Sequence, residues 1–459
     1  MNRLAKNEEK RLWRELAVLA APITLHNLIQ SMVGVIDVMM VGQINNESLA
    51  TVGIANQVFF MACVAIFGIA SGGAIFISRA WGGRDIPQLQ KITGMSLLVC
   101  LIFSISLGLT SYFEAYDILY FFSTNDFLST YGQAYVQITS ISFICTAFTI
   151  VLGVQLRCVG RSHLPMVSGG ISFLVNAFLN YLLIFGHWSL PALGLSGAAI
   201  ATLIARIVEM LLTIYFFRYH NPAFTQWHEC FSILREKKEY SRQAFASFLH
   251  VAFPIMLIEI LWAIGQGVYK LIFGRMGVPE LAAYTVLETL LNLFSAVAIG
   301  FGNAAGVLMG YKLGIPDFPK AKAYASYFIR INFILILPLS LLLFYVGTYL
   351  PSLFNMKAQE AVLLRNGLYI CAFFLSLKSY NFLMTTGIFR VGGDGKFVSI
   401  ISAISFISFG IPVNLVGGLV YHWPFIVILL IIFLEENIRN LLLWRRYRTG
   451  KWLHEILKL

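Results

Sequence analysis

Two carboxyl groups lie inside stretches that are otherwise apolar, Asp37 within residues 16–41 and Glu259 within residues 247–273. A charge at membrane depth is costly unless it faces a cavity or a partner, so an acid placed there is a functional candidate by default. Two kinds of chemistry are open to it: exchange of a proton, or coordination of Na+ where polar oxygens surround it. Enzymatic motifs are missing. The chain has no HExxH, no aspartate-rich prenyl-diphosphate motif and no Walker lysine followed by Ser or Thr. The run Gly300 to Gly306 is not GxGxxG and lies within an apolar stretch, where no Rossmann strand can precede it. Gly392 to Lys396 resembles a phosphate loop only superficially, and a turn between helices explains it. With no nucleotide-binding domain in view, active transport would have to draw on an ion gradient or on a separate subunit.

The elements that must position these acids follow from composition. Hydrophobic residues make up 58% and charged residues 12% of the 459, against about a quarter charged in soluble domains. This is the composition of a polytopic membrane protein. Apolar stretches of about 20 residues or more, enough to span a bilayer, recur at 16–41, 50–78, 92–113, 130–156, 165–186 and 193–217. They recur again at 247–273, 281–310, 324–348, 363–389, 397–419 and 424–443. The fold class expected is all-α integral membrane, with twelve transmembrane helices in two six-helix bundles.

The second set of six repeats the first. Leu19 to Lys91 can be laid without gaps on Val251 to Ala323 at a constant offset of 232, which sets Pro22 on Pro254, Gly42 on Gly274, Gly68 on Gly300 and Asp85 on Asp317. Further on the offset slips by one, and Arg157 meets Arg390. The acids break the symmetry: Asp37 falls on Tyr269, and Glu259 falls on Asn27. Many secondary transporters are built by such duplication, with the substrate path between the halves. An even number of spans per half relates the copies by an axis along the membrane normal. The expected segments are a cytoplasmic N-terminal segment 1–15, an N-lobe 16–217, a cytoplasmic linker 218–246, a C-lobe 247–443 and a cytoplasmic tail 444–459. Met1 to Arg14 reads as a short amphipathic cytoplasmic helix, and no cleavable signal peptide is expected.

Short cytoplasmic loops accumulate Lys and Arg. Of the 33 basic residues, 25 fall at the termini, in the linker and in alternate loops on one side, whereas Lys270, Arg275, Lys357 and Arg365 fall in the opposite loops. The expectation is a multi-pass protein of the cytoplasmic membrane, with both termini cytoplasmic. The net charge of +11 is explained by this bias rather than by a nucleic-acid face, and no nucleic-acid partner is expected. The six cysteines are scattered without CxxC spacing, as small apolar residues rather than a disulfide framework or zinc site.

The pattern Pro22-Ile23, Asp37, Gly42 and Leu49-Ala50, with Leu156-Arg157-Cys158-Val159-Gly160 and Asn176-Ala177-Phe178-Leu179-Asn180, resembles the multidrug and toxic compound extrusion (MATE) family over essentially the whole chain. The resemblance implies efflux of chemically varied, often cationic and aromatic compounds in exchange for H+ or Na+ by alternating access, with no other cofactor. Asp37 matches the acid of the family's first helix, and Asn176, Asn180 and Thr202 match polar positions of its N-lobe site. No metal is expected beyond Na+ at Asp37. Glu259 matches an acid in the seventh helix of the branch that includes NorM-type members.

That branch carries a further aspartate in the tenth helix, where this chain has no acid between Arg365 and Arg390 and carries Lys378 instead. Lys378 could neutralise Glu259 or Glu288, or snorkel to the surface. Arg206 and Arg330 are expected near span ends or paired with acids such as Glu209. Tyr181, Trp262 and Tyr284 could stack on flat cations, and Met32, Met39 and Met256 could supply an adaptable surface. Each alone is more commonly structural. The partners expected are small organic compounds and the lipid bilayer, for a monomer. The rival readings are a lipid-linked saccharide flippase of a related superfamily, which should line its cavity with several arginines, and more distantly an integral-membrane enzyme or receptor.

Overall fold

A computed structural model describes residues 6–44, 46–123, 126–188, 191–220, 230, 238–314, 317–349 and 358–454. Among these residues the chain is helical, without a strand. In the first half the order is α1 Lys6–Val41, α2 Asn46–Gly82, α3 Ile86–Phe113, a short α4 Ala115–Ser123, α5 Asp126–Cys158, α6 His163–Phe185 and α7 Gly194–Tyr219. The second half runs through α8 Lys238–Met276, α9 Val278–Gly314, α10 Phe318–Tyr349 and α11 Ala358–Phe382. It then continues through a π-helical segment Leu383–Phe389, α12 Arg390–Gly392, α13 Gly395–Ile404, a second π-helical segment Ser405–Gly410, α14 Ile411–Leu415, a third π-helical segment Val416–Val420, and α15 Phe425–Thr449.

Eleven of these runs are long and apolar enough to cross a membrane. The twelfth expected span coincides with α15, whose middle carries Glu435, Glu436 and Arg439. One expectation is corrected. Residues 6–14 are not a separate amphipathic helix, because α1 runs unbroken from Lys6 to Val41 with Pro22 inside it. Within the expected linker 218–246, α7 runs on to Tyr219 and α8 begins at Lys238. Residues 221–229 and 231–237 of that linker lie outside the described residues.

By contact the chain forms two compact units, one of residues 1–24 with 257–458 and one of residues 25–256. The divisions fall two residues after Pro22 and two after Pro254, at equivalent points of the repeat. They therefore cut across the first helix of each half rather than following the 16–217 and 247–443 division expected from the spans.

Close helix packing rests on residues without side chains. Gly68 and Gly72 of α2 lie against Met256 and Ala252 of α8, where an added Cβ would stand 2.6 Å from the Cα of each. Small residues permit such approach in membranes, where packing rather than the hydrophobic effect drives helix association. In the unit holding the second repeat, a core of Tyr269, Phe273, Tyr284, Leu287, Leu368 and Phe425 joins α8, α9, α11 and α15. The six cysteines are free.

Helix ends repeat as well. Asp85 caps α3 by accepting from the Gln88 N–H at 3.1 Å, and Asp317 accepts from the Lys320 N–H at 3.1 Å before α10. Each carboxylate satisfies one of the orphan donors of a first turn.

Candidate functional site

Asn176 and Asn180 stand four residues apart and therefore share one face of α6. Gly197 brings α7 against that helix, since a Cβ there would stand 2.5 Å from the Leu183 carbonyl oxygen. The result is a chain of polar contacts through three helices. Asn180 Nδ2 donates to Asp37 Oδ1 of α1 at 2.5 Å and to Asn176 Oδ1 at 3.2 Å, and Asn176 Nδ2 donates to Thr202 Oγ1 of α7 at 3.3 Å. Asp37 is buried, 7% exposed, and Asn180 is fully buried. Asn180 Oδ1 has no hydrogen-bond partner. All four residues expected to form the N-lobe polar site thus meet. Beside the amides that hold the carboxyl, the chain of contacts carries the oxygens of Asn176, Asn180 and Thr202, groups able to accept a hydrogen bond or coordinate a small cation.

Two turns earlier on α1 lies a network that the sequence only half announces. Arg206 Nη1 donates to Glu209 Oε2 at 2.8 Å and to Gln30 Oε1 at 3.2 Å, while Gln30 Nε2 donates to Glu209 Oε1 at 3.1 Å. The guanidinium also stacks over the Phe59 ring, 5.5 Å from its centroid. The i,i+3 spacing of Arg206 and Glu209 points to their pairing. The place of Gln30 could have been found from its seven-residue spacing to Asp37, which returns it to the same face. Gly169 of α6 makes room for this face, since a Cβ there would meet His26 Nδ1 at 2.9 Å and Gln30 Nε2 at 3.4 Å.

In the other unit the acids find partners different from those expected. Glu259 accepts from Arg390 Nη2 at 2.7 Å, with side chains 17% and 8% exposed. Arg390, counted from sequence among the loop residues, is buried. Lys378 does not pair with Glu259 or Glu288: it faces Glu436 of α15 at 3.6 Å, while Glu288 pairs with Lys270 at 3.0 Å. The reason is helix phase, because Lys378 presents to α15 and Glu288 to α8. Arg330 pairs with Glu9 at 3.2 Å.

Tyr284 is withdrawn from the substrate-facing candidates. It is 5% exposed and stacks on Phe273 at 4.3 Å within the core. Trp262 packs against the same core. Met32 is half exposed, Met256 is partly exposed, and Tyr181 is half exposed with its ring stacked on His187 at 4.2 Å.

The MatE family profile matches residues 22–182 and 254–416, once in each repeat. The Bacillus subtilis "Probable multidrug resistance protein YoeA" is 23% identical over 417 residues, covering 90% of this chain and 88% of that protein. Human "Multidrug and toxin extrusion protein 1" is 27% identical over 419 residues, covering 88% of this chain and 68% of that one. Among solved structures, the Vibrio cholerae MATE transporter VcmN superposes with a TM-score of 0.85 at 18% identity over 97% of this chain and 98% of that one. For the eukaryotic MATE transporter AtDTX14 the TM-score is 0.82 at 15% identity, over 96% and 99%.

Proposed function

The chain belongs to the MatE family of multidrug efflux transporters, and on that premise we propose that it is a cation-coupled antiporter that exports organic, often cationic or aromatic, compounds from the cytoplasm. The observation that carries this reading is the buried Asp37, linked through Asn180 and Asn176 to Thr202. A carboxyl at membrane depth, held by asparagine amides and with no ion-paired base among the described residues, is in a condition to exchange H+ or Na+. Transport then follows alternating access. Substrate enters from the cytoplasm or inner leaflet, and cation binding at Asp37 from outside accompanies its release.

The flippase reading loses support from charge pairing. Arg206 and Arg390 are each hydrogen-bonded to an acid, Glu209 and Glu259 respectively, and so do not present unpaired cations to a phosphate. The deciding experiment is transport of ethidium, an aromatic monocation, in proteoliposomes of the purified protein under separately imposed pH and Na+ gradients. Flux driven by one of the two gradients is expected. Ethidium movement insensitive to both would refute the coupling.

A further inference from the structure

The duplication carries the N-lobe ion site onto a second set of residues. At the offset of 232, Asp37 falls on Tyr269. A π-helical segment accommodates one residue more than an α-helix, and the two π-helical segments Leu383–Phe389 and Ser405–Gly410 lie where the offset steps up. After the first, Arg157 falls on Arg390; at the end of the second, Asn176 falls on Gly410, and beyond it Asn180 falls on Asn414. Beyond the matched repeat, the last helix α15 carries Glu435 and Arg439 four residues apart, as α7 carries Arg206 and Glu209 three apart. Of the N-lobe constellation the C-lobe therefore keeps one asparagine, and a buried acid stands on the last helix of that half rather than on the first.

These residues converge. A Cβ added at Gly410 would lie 3.2 Å from Glu435 Cγ, 3.2 Å from Tyr269 Oη and 3.5 Å from the Ser405 carbonyl oxygen, and Asn414 Nδ2 donates to the Gly410 carbonyl at 2.7 Å. Tyr269 and Glu435 are each 1% exposed and Asn414 is 0% exposed. Yet Tyr269 Oη, Asn414 Oδ1 and Glu435 Oε1 have no hydrogen-bond partner, and neither does Arg439 Nε. Asn180 Oδ1 is unpartnered in the same way in the N-lobe. Buried polar atoms are expensive when unsatisfied, and the unpartnered Tyr269 phenol and Glu435 carboxyl oxygen, both against Gly410, with Asn414 one turn further on, mark a place for a bound cation.

The charges facing Glu435 are Arg439 and Glu436 from its own helix and Lys378 from α11, with Tyr269 from α8. The segment Ser405–Gly410 brings no ionisable side chain. Arg439 Nη1 stands 3.8 Å from Glu435 Oε1, beyond hydrogen-bonding reach, and Lys378 is engaged with Glu436 at 3.6 Å. By contrast, Glu259 is locked to Arg390 at 2.7 Å. The two acids and two bases of this cluster balance, so a single added positive charge is tolerated, whereas a divalent ion would meet two fixed cations at low dielectric.

We infer that Glu435, with Tyr269 and Asn414, forms a second site for the coupling monovalent cation, H+ or Na+, in the C-lobe, and that Glu259 is instead the structural partner of Arg390. This rests on the cation-coupled reading of Asp37, but its test does not depend on transport. The purified full chain is titrated by infrared difference spectroscopy of the carboxyl stretch, for H+, and by equilibrium binding of radioactive Na+.

In the H+ arm, Asp37→Asn should lose one titrating carboxyl and keep a second, which Glu435→Gln removes and Glu435→Asp retains at a shifted frequency. In the Na+ arm, Asp37→Asn should keep about half of the sites, and Glu435→Gln should remove the remainder. Tyr269→Phe should weaken the second site in whichever arm detects it, without abolishing it. The proposal is overturned if Asp37→Asn alone removes all titration and all Na+ binding, or if the second site disappears with Glu259→Gln rather than with Glu435→Gln. Two sites that load their cation in a protein whose ethidium flux ignores both gradients would sink the coupling reading and leave the Glu435 site standing.

Discussion

Gly68 of α2 lies against Met256 of α8 with no room for a side chain, and the duplication repeats this contact between Gly300 of α9 and Thr24 of α1. A Cβ would stand 2.6 Å from Met256 Cα in the first case, and 2.9 Å and 3.0 Å from Thr24 N and Cα in the second. Both glycines and both partners are related by the same offset of 232. The second helix of each repeat therefore grips, at equivalent heights, the entry half of the other repeat's first helix. This explains why the compact units divide just beyond Thr24 and Met256.

Alanine at either glycine should destabilise the protein by about 1–3 kcal/mol, because backbone on the facing helix cannot turn aside as a flexible side chain would. At Gly34 of α1 and Gly53 of α2, by contrast, an added Cβ would meet no heavy atom within 4 Å. Alanine there should be neutral or stabilising by about 0.5–1 kcal/mol through helix propensity. Thermal unfolding in micelles, followed by a thiol-reactive dye on the buried cysteines, separates the two pairs. Equal melting temperatures for Gly68→Ala and Gly53→Ala would contradict the close contact.

Asp37→Asn should fold and fail to couple. The amide keeps the shape and still accepts from Asn180 through its oxygen, so stability should stay within about 1 kcal/mol of the parent. What is lost is the carboxyl's capacity to carry a cation. Gradient-driven ethidium efflux from proteoliposomes should fall to the level of protein-free vesicles while ethidium binding persists. Normal concentrative efflux by this variant would remove Asp37 from the coupling mechanism.

Much of this can be read from the residues, for identifiable reasons. The spans follow from long apolar runs. The slip of the repeat by one residue between Arg157 and Arg390 is plain in the sequence, although its cause, the π-helical segment Leu383–Phe389, is not. The Asp37, Asn176, Asn180 and Thr202 constellation comes together through the family resemblance. Pairing between charged residues is less legible. Glu259 and Arg390 are 131 positions apart, and Lys378 and Glu436 are 58 apart, and only helix rotation decides which bases meet which acids. The seam at Thr24 and Met256 is hidden as well, because hydropathy marks where a span begins and not which bundle its halves join.

Orientation is open to impermeant thiol labelling. Trp188, between α6 and α7, is 79% exposed; Arg84 and Lys320, in turns before α3 and within the first turn of α10, are exposed too. Five of the native cysteines are buried and Cys63 is half-buried, so background should be low. On the basic-residue distribution, Trp188→Cys should react in intact cells, and Arg84→Cys and Lys320→Cys only after permeabilisation. The reverse pattern would invert the chain in the membrane and with it the direction of export.

The pairing of Glu259 with Arg390 yields a prediction that separates scaffold from ion carrier. Removing one member of a buried ion pair leaves the other charge uncompensated, so Glu259→Leu and Arg390→Leu should each cost about 3–5 kcal/mol. The double variant replaces both charges with apolar volume and should regain most of that loss, because the two residues couple directly. Thermal unfolding of the four proteins gives the interaction energy. Ethidium efflux by the double variant decides its meaning. If Glu259 serves only to hold Arg390 at the end of the π-helical segment, the double variant should still respond to the driving gradient. A double variant as stable as the parent but unable to couple would restore Glu259 as a cation carrier.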